Sequence, residues 1–572
     1  MLTRTQSGGI ETTDGTLYVS KPFRSSRSKK SKAVLSFVPR NSMFDPQDTR
    51  QPNEFRGFFA LFWISMFLLV VQNYVTSYEK QGYPIELAFA AMFSQDAITL
   101  ALSDGVLVLS TGFSVLLATA LKKNIINYYL TGVIIQLTFQ TLVLGIAILW
   151  TFNRQWPWVQ SGFLTLHTIV MIMKMHSYMA TNGHLQKVYR DFESAFASLR
   201  SATSKIGGWD TALLEARTRV PSAGTDSVPS GTAIKDFNGE GSGTPSLSSE
   251  LGTLPNGTTR SYIDGDMADA LRKRLRDVPQ TTDGTTSRDM KEHLQNGASK
   301  GGRDAPEYAA LVYHPDKEVS ELAGQLLDMD EELRSQGELH VRWPENISVG
   351  NFATYMLIPT LVYELEYPRT KKIRPLYVFE KTVATFGTFA LLYTITENFI
   401  LPLVPTSRQQ SFWRSLLDLA LPFMVAYLLL FYIIFECICN GFAELSRFAD
   451  RQFYEDWWNS TSWDEFARKW NKPVHIFLAR HVYTSSISRY GLSKKRAMFL
   501  TFFLSACLHE LVMAIVTKKI RMYLFALQLI QIPLIAIGRI PAIKRNKVMG
   551  NVVFWIGLYA GFPLLCVAYC AY

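Results

Sequence analysis

Ala497–Val516 reads AMFLTFFLSACLHELVMAIV, 20 residues, which matches the length of one bilayer crossing. Its only acidic or basic side chains are His509 and Glu510. Placing an ionisable group at membrane depth costs at least ~2.5 kcal/mol, so such a residue is a functional-site hypothesis by default. A histidine satisfied by a neighbouring helix would look the same on this stretch alone. The residues upstream separate the two readings.

The stretch has companions. Apolar runs of similar length lie at Phe55–Val75, Ala97–Leu121, Tyr129–Phe152 and Val159–Tyr178. After a long gap come Lys381–Val404, Phe412–Asn440, Ala497–Val516, Met522–Gly538 and Asn551–Ala571. The reading is an all-α polytopic membrane protein with about nine transmembrane helices. Composition agrees: of 572 residues, 48% are hydrophobic and 13% aromatic, enough for a large membrane unit with polar tails. The net charge of +10 does not point to nucleic acid, because the excess sits in tails and loops beside apolar runs. With the basic N-terminal tail in the cytosol, Lys122, Lys123, residues 187–374 and 539–547 fall there too, whereas Lys518, Lys519 and Arg521 fall opposite, against the positive-inside rule. The tail has no signal-peptide apolar core, so the first span is the expected targeting signal. All five cysteines lie in apolar stretches without a CxxC pair, which argues against a disulfide framework or a zinc site.

Four regions follow. Residues 1–51 form a basic tail expected to be disordered, and 52–192 hold the first membrane helices. Residues 193–345 form a cytosolic linker whose stretch 201–307, rich in Ser, Gly, Thr, Asp and Pro, is expected to be disordered. Residues 346–572 hold the remaining helices. The sequons at Asn256, Asn346 and Asn459 fall on the cytosolic side and read as chance matches.

Between the sixth and seventh runs lies an unusual loop. Phe453-Tyr454-Glu455-Asp456-Trp457-Trp458-Asn459 is followed by Trp463 and then by Lys469-Trp470-Asn471-Lys472-Pro473-Val474-His475. Trp and Tyr favour the membrane–water boundary, so an interfacial amphipathic helix is one reading. Asp456, Asn459, Asn471 and His475 interleaved with the rings make a polar pocket at the membrane face the other.

These residues resemble the sterol and diacylglycerol acyltransferase branch of the membrane-bound O-acyltransferase family. Phe453, Tyr454, Asp456, Trp457, Trp458 and Asn459 fill the fixed positions of that branch's FYxDWWN motif. WNKPVH matches its WNxxVH segment, and His509-Glu510 matches its catalytic histidine helix. Pro359–Glu364 with Tyr367-Pro368-Arg369, and Lys174–Tyr178, also resemble branch sequences. The resemblance covers roughly residues 55–192 and 345–572. It implies the family's polytopic fold, acyl transfer from a fatty acyl-CoA to a lipid hydroxyl, and His509 and Asn471 as catalytic pair. The runs STSWDEFARKWNKPVHIFLARHVY and PTLVYELEYPRTKKIRPLYVFEKTVATFGTF look most like fungal sterol O-acyltransferases, with ergosterol the implied acceptor in a fungus. A diacylglycerol acyltransferase is the alternative; a non-catalytic lipid-binding or transport protein and a protein-acylating enzyme are further ones. The intact FYxDWWN with Asn471 and His509 argues against the last two.

The chemistry suits these residues. An alcohol is a poor nucleophile near neutral pH, so a base must take its proton as it attacks the thioester. A buried imidazole is expected to stay neutral for that task. The Asn471 amide is a donor placed to stabilise the developing oxyanion or to orient the thioester. Ser505, four residues before His509 and on its helix face, bonds substrate or imidazole, or else its own helix carbonyl. Glu510 lies about 100° around the helix, in a structural or tuning role, and Cys507 about 200° from His509 does not pair with it. By resemblance Trp470, His475, Tyr483 and Lys494 are candidates for substrate or acyl-CoA contact; His176 reads as a helix-end polar residue. Lys472, Arg480, His481, Lys494, Lys495 and Arg496 are candidate docking cations for the CoA phosphates, or simply cytosolic anchors. No metal and no cofactor is expected, acyl-CoA being a co-substrate. The expected setting is the endoplasmic reticulum membrane, and the resemblance implies a dimer or tetramer.

Overall fold

A computed structural model describes residues 56–83, 91–219, 306–404, 410–538, 540 and 547–571, except 93, 336 and 338, together with 37–43 (except 38) and short strand pairings at 3–17, 33–34 and 262–263. The rest of the 1–51 tail and of the 201–307 insert lies outside the described residues, as does Asn256.

Every apolar run of the sequence falls on a helix. In chain order these are α1 (Arg56–Gln81), α2 (Ala97–Ser110) continuing as α3 (Phe113–Lys122), α4 (Val133–Asn153) and α5 (Trp158–Lys205). Among the described residues, five helical stretches are long and apolar enough to cross a membrane: Ala97–Lys122, Tyr128–Asn153, Phe412–Leu445, Lys494–Thr517 and Lys547–Tyr569. Leu102, Val106, Leu109, Leu116, Ile134, Leu142 and Leu149 are exposed along the first two, as lipid-facing side chains must be when backbone groups are satisfied within each helix.

The insert begins later than its composition suggests. The 48-residue α5 runs through Ser201 to Lys205, and α6 (Trp209–Thr218) follows it. Together with a 3₁₀ segment at Glu307–Tyr313 and α7 (Lys317–Leu333), they enclose a small core of Leu199, Ala202, Leu213, Ala216, Leu311, Val319 and Leu326. Apolar residues at helical spacing sit among the polar ones, and it is that face, hidden in the overall polarity, which orders the segment.

The main core forms where α5 meets the second half. Ser348 caps α8 (Val349–Leu357), accepting the Asn351 N–H at 3.2 Å. The Lys174 ammonium closes the other end, donating to the carbonyls of Tyr355, Met356 and Ile358 at 2.9, 3.0 and 2.8 Å. A cation there adds to the backbone bonds of the last carbonyls and complements the helix dipole. Pro375 starts α9 (Pro375–Ile395), then α10 (Phe412–Phe431) runs through a π-helical turn, Tyr432–Ile438, into α11 (Cys439–Leu445). Lys381 of α9 and Glu436 of that turn make a buried ion pair at 2.8 Å. Asn346 is also buried, bonded to Asn182 and Tyr363, which leaves no room for a glycan.

Candidate active site

The loop after α11 is built around FYEDWWN. Phe453, Tyr454 and Trp457 are buried, and the Tyr454 hydroxyl donates to Glu436 at 2.9 Å. The Trp457 ring meets Trp470 edge to face at 4.7 Å, and Trp470 stacks flat on Tyr427 of α10 at 4.8 Å. The Trp458 carbonyl accepts from Asn551 at 2.9 Å and from Trp555 at 3.1 Å, tying the loop to the last helix. Asn459 is exposed, its amide reaching Asp456 at 3.5 Å. Asp456 pairs with Lys469 at 2.9 Å. Most of the motif is therefore an aromatic keystone, and Trp470, a sequence candidate for substrate contact, is part of that packing.

The keystone holds Asn471. Ser462 caps α12 (Trp463–Lys469), and the chain then turns back so that Glu455 N–H donates to Lys469 O at 2.9 Å and Lys472 N–H to Phe453 O at 3.0 Å. Asn471 sits between those two bonds and caps α13 (Lys472–Phe477), its Oδ1 accepting the Val474 N–H at 3.1 Å. That cap fixes which way the amide points. Its Nδ2 makes no hydrogen bond among the described residues, so the amide N–H groups are candidate donors.

His475 lies one turn on. Burial, with Arg468 nearby, pushes its imidazole down to about 4, so the ring is neutral near pH 7. α13 passes into a π-helical turn, Leu478–Thr484, that packs on the His509 helix and carries Arg480, His481 and the part-buried Tyr483. His481 Nε2 is 2.7 Å from the Ser177 hydroxyl and its ring meets His176 at 5.5 Å; His176 Nδ1 accepts from Gln136 at 3.0 Å. Arg480 is paired with Glu364, and Lys472 with Glu455 at 2.7 Å and Gln452 at 3.0 Å. These three candidate docking groups are thus engaged inside the protein, and His176 is no simple helix-end residue. After α14 (Ser485–Tyr490), Lys494, Lys495 and Arg496 stand exposed in the first turn of α15 (Lys494–Thr517).

His509 projects from α15 and is exposed, not buried as its apolar surroundings suggested, because it occupies a helix face that no element among the described residues covers. Its Nδ1 lies 2.7 Å from the Ser505 carbonyl and 3.4 Å from the Ser505 hydroxyl. An imidazole nitrogen facing a carbonyl carries the proton, so Nε2 keeps its lone pair. The next residue does the opposite. Glu510 is buried and accepts the N–H groups of Arg521, Met522 and Phe525 at 3.3, 2.7 and 3.2 Å, closing the start of α16 (Tyr523–Gly538). Tyr569 of α17 (Lys547–Ala571) donates to both its oxygens, at 3.0 and 3.1 Å. The tight turn that gathers Lys518, Lys519 and Arg521 is thereby locked to α15. Cys507 is exposed on a face away from His509.

Sequence reasoning missed Lys381, Glu436 and the His176–His481 contact. The first two carried a visible signal, charges inside apolar runs; the third joins residues 305 positions apart and carried none.

The membrane-bound O-acyltransferase family model matches residues 124–571. The chain is 32% identical over 550 residues to the probable sterol O-acyltransferase 1 of Schizosaccharomyces pombe, covering 93% of this chain and 85% of that one. It is 31% identical to the sterol O-acyltransferase 2 of Candida albicans, covering 94% and 78%. Likeness to the diacylglycerol O-acyltransferase 1 of Dictyostelium discoideum is 38% over 234 residues, 40% of this chain and 37% of that one. With apolar helices long enough to cross a membrane and a family match over residues 124–571, the chain belongs to the membrane-bound O-acyltransferase family.

Proposed function

We propose that the protein transfers a fatty acyl group from acyl-CoA to the hydroxyl of a sterol, forming a steryl ester. The observation that carries the substrate is extent: likeness to sterol O-acyltransferases runs over 93% of the chain, likeness to the diacylglycerol enzyme over 40%.

The geometry supports a direct mechanism. With Nδ1 held by the Ser505 carbonyl, His509 Nε2 takes the sterol hydroxyl proton as that oxygen attacks the thioester carbonyl. The carbonyl oxygen gains charge and Asn471 Nδ2 donates to it. Collapse breaks the C–S bond, and the imidazolium returns its proton to the departing CoA thiolate. Ser505 orients the base, His475 and Tyr483 line the acyl-CoA path, and Lys494 with its neighbours holds phosphate. We place the enzyme in the endoplasmic reticulum membrane, as a homo-oligomer, with the N-terminal tail and residues 187–374 in the cytosol, where acyl-CoA is met.

Membranes from cells lacking neutral-lipid synthesis, expressing this chain and fed labelled oleoyl-CoA, should place label in steryl ester. Label in triacylglycerol only would overturn the sterol assignment. His509→Ala should abolish transfer with expression intact; survival of appreciable turnover would remove it as the base. Asn471→Ala should lower kcat by about a hundredfold.

A further inference from the structure

A short piece of the N-terminal tail reaches the loop that holds Asn471. The Phe37 ring packs on Phe448 and Tyr367, each at 5.5 Å. Arg40 N–H donates to Ala449 O at 3.0 Å, and Arg451 N–H donates to Arg40 O at 2.9 Å. The guanidinium grips Asp450 with two bonds, 3.1 and 2.8 Å, and a third bond reaches Gln452 Oε1 at 2.9 Å. That same Gln452 oxygen accepts from the Lys472 ammonium at 3.0 Å. At the far end, Ser42 donates to Glu436 Oε2 at 2.5 Å, the oxygen that also takes the Tyr454 hydroxyl.

We infer that Phe37 and residues 39–43 are a positioning strap for Asn471, acting through Arg40. This rests on the oxyanion role proposed above for Asn471. The strap closes on Gln452 before the FYEDWWN motif and on the partner of Tyr454 within it. Lys472 follows Asn471 directly and is fixed by Gln452 and Glu455 on one side and by Phe453 O on the other. Without Arg40, Asp450 becomes a buried carboxylate missing its bidentate partner, a state that costs far more than an exposed pair is worth. The segment 449–455 must relax toward water, and the Asn471 turn hydrogen-bonded to it moves too. A transition-state donor misplaced by a fraction of an ångström loses much of its effect, so the damage falls on kcat. The tail read from composition as featureless therefore contains one residue with a specific task.

The test uses the full chain in membranes and compares Arg40→Ala, Arg40→Lys, Asn471→Ala, the double variant R40A/N471A and the swapped pair R40D/D450R. Arg40→Ala should lower kcat about tenfold while the KM for acyl-CoA changes less than about twofold. Arg40→Lys and the swapped pair should each recover part of the loss. In the N471A background, Arg40→Ala should have almost no further effect, because the donor it positions is gone. An undiminished kcat in Arg40→Ala would overturn the strap, as would an equal loss with and without Asn471, which would mark a purely structural contact. Full turnover in Asn471→Ala would instead sink the oxyanion reading, and the strap with it. If Arg40→Ala is too unstable to assay, failure of both Arg40→Lys and the swapped pair to show kinetic dependence on Asn471 would overturn the proposal.

Discussion

Glu510 directs both carboxylate oxygens at the start of α16 and at Tyr569, while its neighbour His509 keeps a free nitrogen on an uncovered face. One helix turn thus holds the proposed base and a structural anchor, separated by about 100° of helical rotation. Hydrogen bonds to a charged acceptor are worth about 1.5–3 kcal/mol each, and Glu510 takes several. Glu510→Ala should therefore destabilise the protein by about 3 kcal/mol or more, read as a lower midpoint of thermal inactivation in detergent. Glu510→Gln should fare little better, because its NH₂ would oppose backbone donors. An unchanged midpoint would show that the α15–α16–α17 junction is held elsewhere. At this scale the sequence was partly legible. A structural role for Glu510 followed from helix rotation, and Ser505 was paired with His509 by spacing. Which Ser505 atom meets the ring depends on a rotamer, and no spacing rule settles that.

Among elements, a close junction joins α5 to the π-helical turn Tyr128–Gly132. A Cβ added at Gly183 would stand 2.1 Å from the Tyr128 ring. That ring cannot swing away freely: its hydroxyl bonds Gln136 at 2.9 Å and its N–H bonds Gln186 at 3.1 Å. Gly183→Ala should cost about 1–3 kcal/mol by overpacking, seen as a faster loss of activity on mild heating. Gly145, on α4, has nothing within 4 Å of its added Cβ, so Gly145→Ala should be neutral or gain about 0.5–1 kcal/mol of helix propensity. Equal behaviour of the two variants would contradict this packing. Helices as such were readable because runs of apolar residues have no stable alternative in lipid. The π-helical turns were not, since one extra residue in a helical ring leaves no mark on hydropathy. Residues 201–218 were misread for the converse reason: a polar average concealed the apolar face of α6.

Across the whole molecule, the sequence revealed where cations cluster but not which of them are committed internally. Arg480 and Lys472 look as accessible as Lys494 in the sequence, yet one lies against Glu364 and the other against Glu455. Pairing of this kind joins positions far apart in the chain, Arg480 and Glu364 being 116 residues apart, and no local pattern encodes it. Lys494, Lys495 and Arg496 differ: they are exposed and crowd the first turn of a helix, where the dipole disfavours positive charge. Three cations held in an unfavourable field at the start of the His509 helix suit an anionic ligand, and under the proposed function the CoA phosphates supply one. Membrane anchoring alone would explain the charges too, and kinetics separate the two roles. In K494Q/K495Q/R496Q a docking role should raise the KM for acyl-CoA about tenfold, leave kcat within about twofold, and flatten the rise of KM with added salt, because fewer screened contacts remain. An anchoring role would leave KM and its salt dependence unchanged and instead lower the amount of correctly inserted protein, measured by protease accessibility of the N-terminal tail.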